Sequence, residues 1–429
     1  MKKEFYKSRL TFAMFSIASV IGLGNIWRFP YVTGMNGGGS FLTIYLICLF
    51  LIGIPVVIGE FALGGKTGSS TPFAFKKIKK KAEWIGWAQV INLIIIWLYY
   101  SLIVGWCISY FWYSITGSYF NVDTDVFFSS YLGSALPLIS SFIVWAISFP
   151  VLHGGINKHE KLTLVTLPLI WILLGILAVR ALTLPNALEG LEFYLKPDFS
   201  QITNYNAWVT AIGQIFFTLS IATASLPVFS KCLKKTEIAN NSFIIALGDS
   251  AFSFLAGLVI FPTIFAFGFE PASGAKLAFI TLPALITKMP LGQIFGMLFF
   301  LLLAIAGWDS ITTIFETHIQ AIHEKTKIST KRIAIFLCSL GFLGGLPIAV
   351  GSMGEIDLIT PLDSIFGTYG LAILGLIEII FFGWIWGADK IREFVNKNSD
   401  FKVGRWFDVC IKVICPVAVL IIIIASLIG

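Results

Sequence analysis

A chain of 429 residues that is 57% hydrophobic and only 12% charged, with a mean hydropathy of +0.87, is no soluble globular protein. Its apolar runs recur about every 35 residues, the rhythm of a polytopic helical membrane protein and not the short alternating segments of a β-barrel. The net charge of +7 invites a nucleic-acid reading, which the placement of the charges removes.

Eleven apolar spans are predicted, over residues 10–33, 40–62, 86–115, 134–152, 162–182, 207–232, 241–269, 290–323, 331–350, 361–388 and 404–428. The opening run is too long for a signal-peptide apolar region and lacks a small-residue cleavage site. With a cytoplasmic N-terminus, all but five of the 30 basic residues fall in inner segments. The exceptions are Arg28, Arg180, Lys196, Lys276 and Lys288. This positive-inside bias predicts the N-terminus inside the cell membrane and, after an odd number of spans, the C-terminus outside. The run KKIKKK, Lys76–Lys81, reads as an inner loop against anionic headgroups.

The first span interrupts itself. SVIGLGNIWRFP, Ser19–Pro30, puts two glycines, an Asn, an Arg and a Pro at mid-depth. The sixth span carries GQIFFTLSIATAS, Gly213–Ser225, with a Ser/Thr-rich stretch at similar depth. Unwound backbone is tolerated in a membrane only where it lines a cavity or binds something. Freed carbonyls suit a desolvated monovalent cation, and half-helix N-termini suit a carboxylate. A simple packing kink explains either break alone in about half of cases. Two breaks five spans apart, with ionisable residues nearby, point instead to a transporter of inverted repeats.

Among the ionisable residues inside spans are Arg28, Glu60, Asp249, Asp309, Glu316, Asp363 and Glu378. Each is costly in hydrocarbon and faces a partner, a cavity or an ion. Asp309 and Ser310, in AGWDS, offer adjacent hard oxygens and read as cation ligands, with a hydrogen-bonded buried acid as the plainer option. Glu60 and Glu378 read as caps for the loose backbone of the breaks. The six cysteines read as small apolar residues and the four histidines lack ligand spacing, so no transition-metal site is expected. GGKTGSS, Gly64–Ser70, fails as a phosphate loop because Glu60 stands at the first glycine. No nucleophile–base pair suggests an enzyme, and no organic cofactor is expected.

The motifs NIWRFPY, NGGGSF, GIPVVIGEFALG, GQIFFTLS, AGWDS and WIWGADK, in this order, resemble those of the neurotransmitter:sodium symporter family. The resemblance covers nearly the whole chain. It implies an all-α membrane fold of the leucine-transporter type, with broken helices 1 and 6. It further implies two inverted five-helix repeats, at residues 1–185 and 186–390, and an additional helix at 391–429. The implied activity is sodium-coupled import of a hydrophobic L-amino acid by alternating access, with Na+ as coupling ion, two per cycle. Proton coupling in the same fold is the alternative. The implied partners are the amino acid, Na+ and the lipid bilayer, not nucleic acid. Whether the chain acts as monomer or homodimer stays open.

Carried over residue by residue, the first sodium site uses Val20, Asn25, Thr218 and Asp249. The second uses Ala18, Ile21, Ala306, Asp309 and Ser310. The substrate pocket is lined by Ser19, Val20, Leu23, Gly24, Ile96, Tyr100, Phe217, Thr218, Ser220, Thr223, Ser310 and Ile314. An outer gate joins Arg28 to Asp363, with Gln214 and Phe217. An inner gate pairs Lys3 with Glu324. Gly24 stands where monoamine-carrying relatives have an aspartate, so the substrate brings its own carboxylate. Asp249 supplies the negative charge that chloride gives other members, which predicts chloride independence. ATA, Ala222–Ala224, departs from the usual glycine-flanked residue and leaves the substrate's size open. Gly155 and Pro168 stand farther apart than the family's glycine–proline pair in the fifth span.

Overall fold

The computed structural model describes residues 9–231, 237–269, 277–354, 356–397, 399 and 401–428. Among these the secondary structure is helical, with no strand. Nine helices among the described residues are long and apolar enough to cross a membrane. They are α2 (Gly39–Thr67), α3 (Lys80–Thr116), α4 (Leu136–His153), α5 (Lys158–Leu182), α7 (Ile238–Ala266), α8 (Gly292–Thr326), α9 (Thr330–Met353), α10 (Ile359–Asn396) and α11 (Trp406–Ile424). A tenth, α1, is a broken pair, Thr11–Val20 and Gly24–Met35, bent by 59°. The remaining predicted span, α6, is two shorter helices, Tyr205–Thr218 and Ser225–Ser230. Both expected interruptions are therefore present.

Ordinary stop signals frame these helices. α2 ends at Gly68 and α3 at Gly117, both left-handed, with the cap N–H bonded to the carbonyl of Gly64 and Tyr113 respectively. α5 runs unbroken through Pro168, and Gly155, at φ +71°, only marks its start. Widened π-helical turns interrupt α1 at Gly24–Arg28, α2 at Leu49–Gly53 and α10 at Asp363–Gly370 and Phe381–Gly387. Such turns cluster at functional sites because they re-aim side chains and free backbone groups.

Among the described residues two large apolar packing clusters fill the interior, with a small third one at Val90, Ala224 and Ala321. One is built mainly on α3, α5 and α8, the other mainly on α2, α6, α10 and α11. α1 feeds both: Ala18, Ile21 and Leu23 enter the first, while Phe12, Val20 and Phe29 enter the second. α7 does the same, with Phe252 and Ala256 on one side and Ile245 and Ala246 on the other. The α1 break thus sits on the seam between two packed bodies. Large apolar residues such as Phe142, Val165, Ile172 and Phe336 remain exposed on the outer faces of α4, α5 and α9, as lipid-facing positions should. The cysteines Cys48, Cys107, Cys338, Cys410 and Cys415 are free and buried, and Cys232 lies outside the described residues.

Candidate functional site

At the α1 break the loosened backbone finds its partners on neighbouring helices. The Gly22 amide donates to Asn25 Oδ1 (2.8 Å) and the Leu23 amide to the Tyr100 hydroxyl of α3 (3.1 Å). Ser310 Oγ of α8 donates to the Ile21 carbonyl (3.0 Å). At the α6 break three non-glycine residues are left-handed: Ser220 (φ 52°), Ala222 (φ 60°) and Ala224 (φ 63°). Each costs about 1–2 kcal/mol for an L-residue and persists only when its surroundings hold it. Here they do. Glu60 of α2 accepts the Ala222 amide (2.8 Å), and Thr71 Oγ1 donates to the Ala224 carbonyl (2.6 Å). Thr223 Oγ1 donates to the Ser220 carbonyl (2.6 Å).

Between the breaks lies a cavity of about 60 Å³. Ten of the twelve expected pocket residues line it: Val20, Gly24, Ile96, Tyr100, Phe217, Thr218, Ser220, Thr223, Ser310 and Ile314. Two do not. Ser19 Oγ donates to its own helix at the Ser16 carbonyl (2.7 Å), and Leu23 faces a second, outer cavity. Gly22, Leu93 and Leu371 line the pocket without having been expected there. Gly24 is held to a glycine by Phe217, because an added Cβ would lie 2.7 Å from the ring.

The residues expected around a first sodium come together. Asn25 Nδ2 is 2.9 Å from Thr218 Oγ1 and 2.6 Å from Asp249 Oδ1, and Thr218 Oγ1 donates to Asp249 Oδ2 (2.9 Å). Ser253 Oγ, missed in the sequence, completes the ring at 2.8 Å. An amide nitrogen has two protons, yet oxygens of three side chains converge on this one. Such a cluster of buried hard oxygens is the donor set a monovalent cation needs.

Within the second set, the described hydrogen bonds join Ser310 to Ile21. Ala18 and Ala306 are buried in the same packing cluster. Asp309, 2% exposed, accepts Thr163 Oγ1 (3.3 Å) and Thr166 Oγ1 (3.4 Å) of α5. His159 Nε2 stands 3.5 Å from the same carboxylate. None of these three α5 residues carries a local sequence signal, since only the packing of α5 on α8 brings them there.

The outer cavity, about 220 Å³, is lined by Leu23, Trp27, Arg28, Tyr99, Thr360 and Asp363 among others. Arg28 bonds Gln214 Oε1 (3.0 Å) and stacks over Phe217, 4.8 Å from the ring centre. Gln214 in turn donates to the Gly24 carbonyl (3.1 Å). Asp363 accepts the Tyr99 hydroxyl (2.7 Å). Among the described ion pairs none joins Arg28 to Asp363, so the two gate residues face each other across the cavity. Of the inner gate, Lys3 lies outside the described residues. Glu324 accepts from the Ser70 amide and hydroxyl at 2.7 and 2.8 Å. The expectation for Glu378 needs correction: it accepts Gln89 Nε2 of α3 (2.8 Å) instead of capping a break.

Known proteins resemble this chain over nearly its whole length. The pattern of the sodium:neurotransmitter symporter family matches residues 3–126 and 132–429. An uncharacterized sodium-dependent transporter of Methanocaldococcus jannaschii is 37% identical over 97% of this chain and 89% of its own. The human sodium- and chloride-dependent taurine transporter is 28% identical over 97% of this chain and 77% of its own. The crystal structure of MhsT in complex with L-phenylalanine superposes with a TM-score of 0.88 at 31% identity, covering 99% of both chains. The chain belongs to the sodium:neurotransmitter symporter family, whose members are sodium-dependent membrane transporters and not enzymes.

Proposed function

We propose that the protein imports hydrophobic L-amino acids, coupled to two Na+ ions. The observation that carries this reading is the inner cavity bounded by both breaks. Val20, Asn25 and Thr218 bring the first oxygen cluster to its wall, and Ser310 brings the second. The likeness to MhsT, captured with L-phenylalanine, supports an amino acid as substrate. Gly24 supports one that carries its own carboxylate, since among the described residues no acidic side chain lines the cavity. Leu93, Ile96, Phe217, Ile314 and Leu371 supply an apolar wall for an aliphatic or aromatic side chain.

In this reading the first ion takes the Val20 carbonyl, Asn25, Thr218, Asp249 and the substrate carboxylate. The second takes the carbonyls of Ala18, Ile21 and Ala306 with Asp309 and Ser310. Outer closure brings Arg28 to Asp363 over Phe217, and inner closure brings Lys3 to Glu324. The repeats at 1–185 and 186–390, with the added helix 391–429, rock about the seam. Lysine and arginine placement supports a cytoplasmic N-terminus in the cell membrane. Each ion moving down 100 mV contributes ~2.3 kcal/mol, more than a decade of substrate accumulation.

The test is uptake of labelled hydrophobic amino acids into proteoliposomes with an inward sodium gradient. Sodium-dependent accumulation is expected. Equal accumulation on a proton gradient alone would replace the coupling ion. Asp249 supports chloride independence: wild type should transport equally well with chloride replaced by gluconate, and Asp249→Asn should not. An Asp249→Asn variant indifferent to chloride would remove that role.

A further inference from the structure

Away from the two breaks, a pair of neighbouring helices carries matching interruptions. α2 widens into a π-helical turn at Leu49–Gly53 and α11 into another at Cys410–Ile414, and the two turns pack against each other. Such turns are frequent at functional sites. The Leu51 carbonyl in the first turn takes Cys415 Sγ (3.4 Å) from just past the second. Beside this junction, α2, α7 and α11 leave an open groove of about 630 Å³. That size falls within the roughly 300–1,000 Å³ of small-molecule sites. Its wall includes Phe50 and Leu51 of α2, Phe243 of α7, Trp406 and Val409 of α11, and Phe401 just before α11. Among the described residues no charged side chain lines it.

One end of the groove is basic and held in place. The loop from α10 into α11 gives Phe401 and Trp406 to the wall, and each has a cation as its chain neighbour, Lys402 and Arg405. Asn396, at the end of α10, fixes this loop. Its Nδ2 donates to the Val403 carbonyl (2.8 Å), its Oδ1 accepts the Val403 amide (2.7 Å), and its carbonyl accepts Lys402 Nζ (2.7 Å). Phe401 meets Phe243 edge-on, with ring centres 5.2 Å apart, which ties the loop to α7. Two acids of this region are taken: Asp408 pairs with Arg392, and Asp389 with Lys412. Among the described ion pairs Lys402 and Arg405 take part in none, and both are exposed. Trp406, 40% exposed beside Arg405, is the residue type that marks headgroup level in a bilayer.

We infer that the groove between α2, α7 and α11 binds an anionic glycerophospholipid, with an acyl chain along the apolar wall and the phosphate at Arg405 and Lys402. The charge pattern selects this occupant. A neutral lipid would fill the wall and leave two cations unused, and a free phosphate would use the cations and leave the wall bare. An amphiphile with an anionic head matches both parts, since basic residues at a membrane surface draw anionic headgroups. The bound lipid fastens α11 to α2 and α7 at the height of the two π-helical turns. The site does not depend on the transport reading. Only its assignment to the cytoplasmic leaflet rests on the orientation proposed above.

The test is thermal melting of the purified full-length chain in detergent micelles, titrated with phosphatidylglycerol or with phosphatidylcholine of the same acyl chains. A ligand that binds the folded state raises the melting temperature. Phosphatidylglycerol should reach its half-maximal shift at about 25-fold lower concentration than phosphatidylcholine, the worth of two basic residues at an anionic surface. Arg405→Gln should remove about fivefold of that advantage and leave the phosphatidylcholine response unchanged. Val409→Trp, at a position 54% exposed, fills the groove and should weaken the response to both lipids. Val409→Phe is the milder filler should the first variant fail to fold. Equal responses of wild type to the two lipids would overturn the headgroup recognition. Unchanged lipid responses in a folded, filled variant would overturn the groove. A shift from glycerol phosphate alone as large as the lipid's would reduce the site to an anion site and overturn the lipid. So would a wild-type particle of two copies that Val409→Trp splits into one, because the groove would then be an interface. None of these readouts involves uptake, so failure here is distinct from failure of the transport reading.

Discussion

The two breaks solve one problem in opposite ways. In α1 the chain turns through glycine and bends without a left-handed residue, and its freed amides are taken up by Asn25, Tyr100 and, at a carbonyl, Ser310. In α6 the chain turns through serine and alanine in left-handed conformations that glycine would adopt freely. The α1 break is cheap in its own backbone and crowded by its neighbours. The α6 break is costly in its own backbone and depends on Glu60 and Thr71 to persist. One is shaped by what it touches in the pocket, the other by what stands behind it.

That contrast can be broken experimentally. The largest effect is expected where α8 meets the α1 break. Asp309→Ala should lower sodium-dependent uptake by more than about 100-fold, since even outer-shell changes cost 10–100-fold in ion affinity. Retained uptake would remove α8 from the coupling. Next comes Gly22→Ala: the new methyl would press on Ser310 Oγ and the Tyr100 hydroxyl. Overpacking of this kind costs about 1–3 kcal/mol, readable as a lower melting temperature. Glu60→Ala should cost a similar ~1–3 kcal/mol by leaving the buried Ala222 amide unpaired. The smallest effect has the opposite sign. Ala222→Gly should raise the melting temperature by the equivalent of up to about 1 kcal/mol, because it removes left-handed strain. A methyl harmless at Gly22 and helpful at Ala222 would reverse the comparison.

The α1 break was legible because its glycines, Asn25 and Arg28 are conspicuous in an apolar run. The α6 break was legible only as a Ser/Thr-rich stretch. Its left-handed positions were not, since alanine carries no local preference for that conformation and the turn is imposed by Glu60 and Thr71 from other helices. Ser19 and Leu23 were assigned to the pocket, yet a helix turns about 100° per residue, so small phase errors move a side chain to another wall. Ser253, His159, Thr163 and Tyr99 could not be read at all. Each matters through a partner far away in sequence, which no local pattern reports. Glu378 was legible as an interior acid, but its partner Gln89 is a product of how α10 packs on α3.

Phe217 belongs to the walls of both cavities, together with Gly24 and Tyr100. Anything passing from the outer chamber to the inner one must push the same ring aside. Arg28 rests on that ring, a contact worth about 0.5–2 kcal/mol. A latch of that strength springs open by itself roughly a tenth of the time, taking ~1.4 kcal/mol as a factor of ten. That contact alone is therefore a light barrier between the two chambers.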